Sequence, residues 1–170
     1  MRKVVDSTIK NVLVVLMGLL VVSVVWQVFF RYILNAPSTF TDELARFLLI
    51  WVSILGAAYL SGKNGHVAIT FLPDRLSPPI RQKLDIFIRV LIIAFVLCVL
   101  VIGGGMLVYY TFAYLQLTPT LQIPMGVVYL IGPISGLLII YYKVSDIIEL
   151  LQSQSNEFEQ AEEKEFEGTI

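Results

Sequence analysis

The chain has 170 residues, 57% hydrophobic and 15% charged, with 12 Lys/Arg against 13 Asp/Glu. That is too apolar for an ordinary water-soluble domain, which could not shelter so many such side chains. A net charge of −1 supplies no basic field for nucleic acid, and a single cysteine excludes an internal disulfide.

Three runs carry no charged side chain: Asn11 to Phe30, Phe47 to Gly62, and Val90 to Tyr142. About 20 apolar residues cross a bilayer as a helix. The pattern therefore predicts an all-α integral membrane protein with four transmembrane helices, at roughly 11–32, 41–61, 78–112 and 125–151. These form one domain over residues 1–151, and an acidic tail follows over 152–170.

Arg2, Lys3 and Lys10 precede the first run, as in a signal peptide. The run is longer than a typical signal core, lacks an A-x-A-like cleavage site, and Ala36 is followed by Pro37, so a retained helix is expected. Trp26, Phe29, Phe30 and Tyr32 give it an interfacial aromatic belt. Asn35-Ala36-Pro37-Ser38 is turn chemistry, after which Thr39 or Thr41 can cap the second helix, with Asp42 and Glu43 in its first turn.

The stretch from Trp26 to Trp51 thus holds four charges at the edge of hydrocarbon. Arg31 follows Gln27 by four residues, while Asp42 and Glu43 stand four and three residues before Arg46. Two readings are open: interfacial anchors, or a specific cluster of Arg31, Asp42, Glu43 and Arg46 that fixes the helices or meets a partner. On the second, Glu43 sits between Arg46 and Arg31.

Ser53, Ala57 and Ser61 form a small-residue stripe that permits close helix contact, in the first place within the chain. Beyond Ser61-Gly62-Lys63-Asn64-Gly65, the alternation of Val67, Ile69 and Phe71 suggests a short segment lying on the membrane surface. His66, the one histidine, has no companion ligand and is expected to hydrogen-bond at the interface; Cys98 is expected to be a small hydrophobe.

Ser77-Pro78-Pro79 is a helix start, Ser as cap and Pro in the first turn. Some 35 residues follow, on the order of 50 Å at about 1.5 Å each, so this helix must tilt, protrude or break. Arg81, Lys83, Asp85 and Arg89 should protrude, and Gly103, Gly104 and Gly105 offer a bend or a close approach. After an uncharged loop from Leu117 to Pro124, Gly132-Pro133 should kink the fourth helix, and Gly132 with Gly136 makes a G-x-x-x-G spacing. The Glu-rich tail is expected to be disordered or a frayed helical extension.

Lys and Arg crowd the N-terminal side and the second connection, which places both termini in the cytoplasm and the Asn35 turn outside. No catalytic set, metal-spaced cluster or phosphate-cradling loop is visible, so neither an enzyme nor a resident cofactor or metal is expected. Ionisable groups at mid-depth, which a stand-alone ion-coupled transporter needs, are missing.

Gln27-Val28-Phe29-Phe30-Arg31-Tyr32, Asn35, Pro37, Asp42-Glu43-Leu44-Ala45-Arg46, Trp51, Gly56-Ala57-Ala58 and His66 together resemble the small (Q-type, DctQ-like) membrane subunit of tripartite ATP-independent periplasmic (TRAP) transporters. The four-span layout matches along nearly the whole chain; the stretch joining the first two helices is the specific part. The resemblance implies a bacterial inner-membrane scaffold for a larger membrane subunit that binds substrate and sodium. It also implies a periplasmic binding protein as transient partner, membrane lipids around the chain, and import of an organic anion, with sialic acid first and C4-dicarboxylates next. The competing reading is a self-contained small multidrug-type exporter acting as an oligomer; a quinone-linked enzyme subunit comes third.

Overall fold

The computed structural model describes residues 2–36, 38–63 and 78–167, and of these the side chains other than those of residues 3, 78–82, 151 and 153–167. Pro37, His66, the Val67 to Phe71 alternation and the Ser77 cap lie outside the described residues. The elements are helical: α1 (Arg2–Tyr32), α2 (Thr39–Lys63), α3 (Pro78–Val96), a π-helical segment (Leu97–Gly103), α4 (Gly104–Ala113), α5 (Met125–Tyr129) and α6 (Ile131–Glu167). Four runs, Val4–Tyr32, Thr39–Lys63, Lys83–Ala113 and Met125–Leu150, are long and apolar enough to cross a membrane. Over the described residues the protein is an all-α membrane protein with four such spans.

The fourth span is the axis. Of its most apolar stretch 33% is buried, against 6% in the first span. α2 lies along one flank of α6 and the third span along the other, while α1 packs on α2. Ile9, Leu55, Ile131 and Tyr142 form the buried apolar centre. Most other large apolar side chains face outward, as a bilayer allows and water does not.

The structure moves several boundaries, each for a local reason. α1 begins at Arg2 rather than near Asn11, because Arg2 and Asp6 are tied to α6 by hydrogen bonds. Ser38, not Thr39 or Thr41, caps α2: its hydroxyl accepts from the Thr41 N–H at 3.4 Å while its carbonyl accepts from the Thr41 hydroxyl at 3.1 Å. The third span carries its irregularity at Leu97–Gly103, just before and into the glycine triplet. In the fourth span, α5 and α6 part at Leu130, three residues before Pro133, whose nitrogen has no hydrogen for the Tyr129 carbonyl. α6 then continues to Glu167, so the acidic segment is helical through that residue rather than disordered.

Small residues mark the closest helix approaches, but only some of the expected ones. A β-carbon on Gly104 would come 3.1 Å from Pro133 Cδ, and one on Gly136 would come 3.0 Å from Leu100 and Val101. Gly105 and Gly132 face open space, and Gly103 meets only the Cys98 carbonyl at an ordinary 3.5 Å. Ser53 and Ala57 are exposed and Ser61 half-buried; within the chain the packing face of α2 is instead Leu55, Ala58 and Gly62. The small-residue stripe is therefore not the face that packs within the chain.

Candidate functional site

Charged side chains gather at the two ends of the helical array. One end holds the start of α1, the close of α2, the first turns of α3 and the middle of α6. There Arg2 Nη2 donates to Asp146 Oδ1 at 2.7 Å and to the Gly62 carbonyl at 2.8 Å, and Arg2 Nη1 donates to Glu149 Oε1 at 3.0 Å. Arg89 is bonded to Asp85 at 2.8 Å, one turn earlier on α3, and lies 3.8 Å from Asp146 Oδ2. Lys143 donates to the Ser61 carbonyl at 3.0 Å and lies 3.8 Å from the same Asp146 oxygen. The Tyr142 hydroxyl donates to Asp6 Oδ1 at 2.6 Å, and the Arg2 guanidinium lies 5.9 Å from the Tyr142 ring.

This network joins all four spans through Asp146, which is 4% exposed. Asp85, Arg89 and Lys143 are also buried. Charges removed from water must be paired, and here every one of them faces an opposite charge. Two cations also meet carbonyls in the last turn of α2, the end of a helix that favours positive charge. Burial works against the Arg2 charge, but the hydrogen bonds and charges of Asp146 and Glu149 outweigh it and push its pKa up. The arrangement is a clamp that fixes the helices, although Asp146 Oδ2 and Asp85 Oδ1 are buried without a hydrogen bond of their own.

The sequence reading missed this site. Asp85 and Arg89 are buried among the helices, where Asp146 offers Arg89 a counter-charge. The available signal was the spacing Lys143, Asp146, Glu149 on one face of the fourth helix, beside Asp85 and Arg89 at i,i+4.

At the opposite end, the expected cluster of Arg31, Asp42, Glu43 and Arg46 divides. Arg46 pairs with Asp42, whose other oxygen accepts from Gln27 Nε2 at 2.8 Å and so links α2 to α1. Glu43 is not held between Arg46 and Arg31. Its Oε2 accepts from the backbone N–H groups of Thr120 and Leu121, each at 2.9 Å. Two adjacent N–H groups of a turn make a ready carboxylate seat, which the arginines do not improve on. Arg31 instead lies over the Tyr32 ring at 5.7 Å. Gln27, Arg31, Ser38, Thr39 and Asp42 border an open polar pocket of about 360 Å³.

The loop that Glu43 holds is itself ordered by local bonds. Thr118, fully buried, donates its backbone N–H to the Ile123 carbonyl at 2.9 Å and accepts from the Ile123 N–H through its hydroxyl at 3.1 Å. Leu115 and Gln122 take positive φ of 48° and 54° to close the turns. Nearby, Trp51 Nε1 donates to the Val128 carbonyl at 3.1 Å and fastens α2 to α5. Among the described residues no three His, Cys, Asp or Glu side chains come together as a metal site would require.

The profile of the tripartite ATP-independent periplasmic transporters, DctQ component, matches residues 20–153. The chain belongs to the DctQ family. It is 30% identical over 103 residues to the sialic acid TRAP transporter small permease protein SiaQ of Vibrio cholerae, a match covering 61% of this chain and 60% of that one. A provisionally named TRAP transporter small permease protein of Haemophilus influenzae is 26% identical over 147 residues, 86% of this chain and 89% of its own length. The isethionate TRAP transporter permease protein DctMQ of Oleidesulfovibrio alaskensis is 30% identical over 133 residues, which are 74% of this chain and only 21% of that one. The DctQ component is part of a transporter, not an enzyme, and this DctQ chain is a multi-pass membrane protein.

Proposed function

We propose that this DctQ chain is the bracing subunit of a binding-protein-dependent TRAP importer and does not itself carry substrate. The observation behind this reading is that the buried charges of the network tying the four spans together face one another within the chain. The hydrocarbon-facing lengths are apolar and largely unburied, a surface suited to lipid and to a second membrane subunit. Alignment with about a fifth of the longer DctMQ permease supports a large permease subunit as the standing partner.

Termini in the cytoplasm and the α1–α2 turn in the periplasm follow from the Lys/Arg distribution, in a bacterial inner membrane. The Gln27 to Asp42 pocket then faces the compartment of the periplasmic binding protein. The transported species is an organic anion carried by sodium symport in the large subunit. Sialic acid is supported by the Vibrio cholerae relative, and C4-dicarboxylates come next.

Co-purification and reconstitution test the reading. The tagged chain should bring down a much larger membrane protein, and uptake in proteoliposomes should need both subunits, the binding protein and a sodium gradient. Transport by this chain alone would overturn it in favour of the small exporter.

A further inference from the structure

We propose that the groove between α1 and α2 is a binding site for one acyl chain of an anionic phospholipid, whose phosphate sits on Lys10 and Lys63. The proposal rests on the chain spanning a membrane and not on the transport reading.

The groove has a volume of about 710 Å³ and is lined almost wholly by apolar side chains, with Lys10 at one end. Two glycines on neighbouring helices, Gly18 and Gly56, are among its lining; a β-carbon added to either would meet nothing within 4 Å. On α1 the lining runs from Lys10 to Val22. At about 1.5 Å per residue those positions cover roughly 18 Å.

That length selects the occupant. The hydrocarbon core of a bilayer is about 30 Å thick, so one leaflet is about 15 Å. A transmembrane helix of a partner would call for a groove as long as the membrane is thick; a lipid tail needs one leaflet. The charge is placed to match. Lys10 is exposed at the polar end of the groove, and Lys63, where α2 ends on that same side, lies with its ammonium 4.9 Å from the ring of Tyr59, another lining residue. Neither ammonium is ion-paired with Asp146, and Lys63, which faces Tyr59 and feels the charge of Asp6, is fully exposed at the headgroup end. Two cations at headgroup level above an apolar, leaflet-long slot fit an anionic phospholipid better than a zwitterionic one.

Native mass spectrometry of the full chain in mild detergent, titrated with phosphatidylglycerol and separately with phosphatidylcholine, tests this. One phosphatidylglycerol should be retained in preference to phosphatidylcholine. Lys10→Gln and Lys63→Gln should each weaken it about fivefold, the scale of one basic residue's attraction to an anionic membrane surface, and leave phosphatidylcholine unchanged. Gly18→Leu and Gly56→Leu, each filling the slot from a different helix, should abolish the bound lipid with both lysines intact. The lysine variants put no bulk into the groove, and Lys10→Gln leaves the Lys63–Tyr59 contact in place, so they decide the matter even if a leucine variant fails to fold. Equal binding of the two lipids, or phosphatidylglycerol binding indifferent to the lysines or to a folded leucine variant, would overturn the proposal. So would loss of a co-purifying large permease from a folded leucine variant that still holds the lipid, which would make the groove a protein interface.

Discussion

The two ends of this DctQ chain use the same residue types to different effect. At the end of Arg2 and Asp146, charged groups from the first, third and fourth spans are paired around a buried carboxylate, and the second span adds two backbone carbonyls. At the end of Asp42 and Arg46 the ion pair is open to solvent, with side chains 39% and 72% exposed. A charge that gives up water depends on its partner for its whole solvation, whereas an exposed one trades its partner for water at little loss. The first end is therefore where the fold is held. The second is where groups remain free to meet another molecule.

The largest effect should come from the centre of the buried network. Asp146→Ala leaves Arg2, Arg89 and Lys143 without the carboxylate they share. Removing one member of a buried charge group costs about 3–5 kcal/mol. Thermal unfolding of the purified chain in detergent should show a loss on this scale, with Asp146→Asn recovering part of it through the retained oxygen facing Arg2. A loss under about 1 kcal/mol would mean that the two ends do not differ in kind.

The second prediction concerns packing at the same end. A β-carbon on Gly62 would fall 2.7 Å from the Tyr142 ring, which is fully buried and bonded to Asp6. Overpacking of this sort costs about 1–3 kcal/mol. Gly62→Ala should lower stability by that much, and Gly56→Ala, which faces open space, should not lower it through packing. Equal effects of the two would show that Tyr142 moves aside freely.

Hydropathy made four spans legible because a bilayer imposes a length of apolar residues on any helix that crosses it. The small-subunit family was legible in the residues from Gln27 to Trp51, within the matched region. What could not be read was pairing across the chain. Asp146 lies 144 residues from Arg2, and nothing in local spacing says that the first and last spans meet there. Glu43 showed the opposite failure. Two arginines nearby in sequence suggested its partners, while the true ones are backbone N–H groups more than 70 residues away, which carry no side-chain signature. The Ser53 stripe does not mark the face that packs within the chain, since hydrophobic faces of membrane helices are too uniform to say which face turns inward.

Glu43 provides the third prediction and carries the comparison to the other end. It is half-buried, and its carboxylate satisfies two loop donors at once. Hydrogen bonds to charged groups contribute about 1.5–3 kcal/mol, and with one of these donors exposed the lower figure applies. Glu43→Ala should destabilise the chain by about 1.5 kcal/mol and speed proteolysis of the loop between α4 and α5. Glu43→Gln keeps an acceptor oxygen and should recover most of both. Unchanged proteolysis would mean that the Thr118 bonds order the loop by themselves.

The smallest effect should be that of Arg46→Ala. Its partner Asp42 stands one turn earlier on the same helix and keeps its bond from Gln27 when Arg46 is gone. An exposed pair of this kind is worth under about 1 kcal/mol, so unfolding should barely shift. Combined with Glu43→Ala, the two changes should add to within about 0.5 kcal/mol, because each side chain has its own partners and they share none. A coupling above about 1 kcal/mol would place Glu43 and Arg46 in one network after all. Additivity together with a selective loss of transport in the assembled system would mean something else: that Arg46 is spent on a contact outside the chain, which the exposure of its side chain permits.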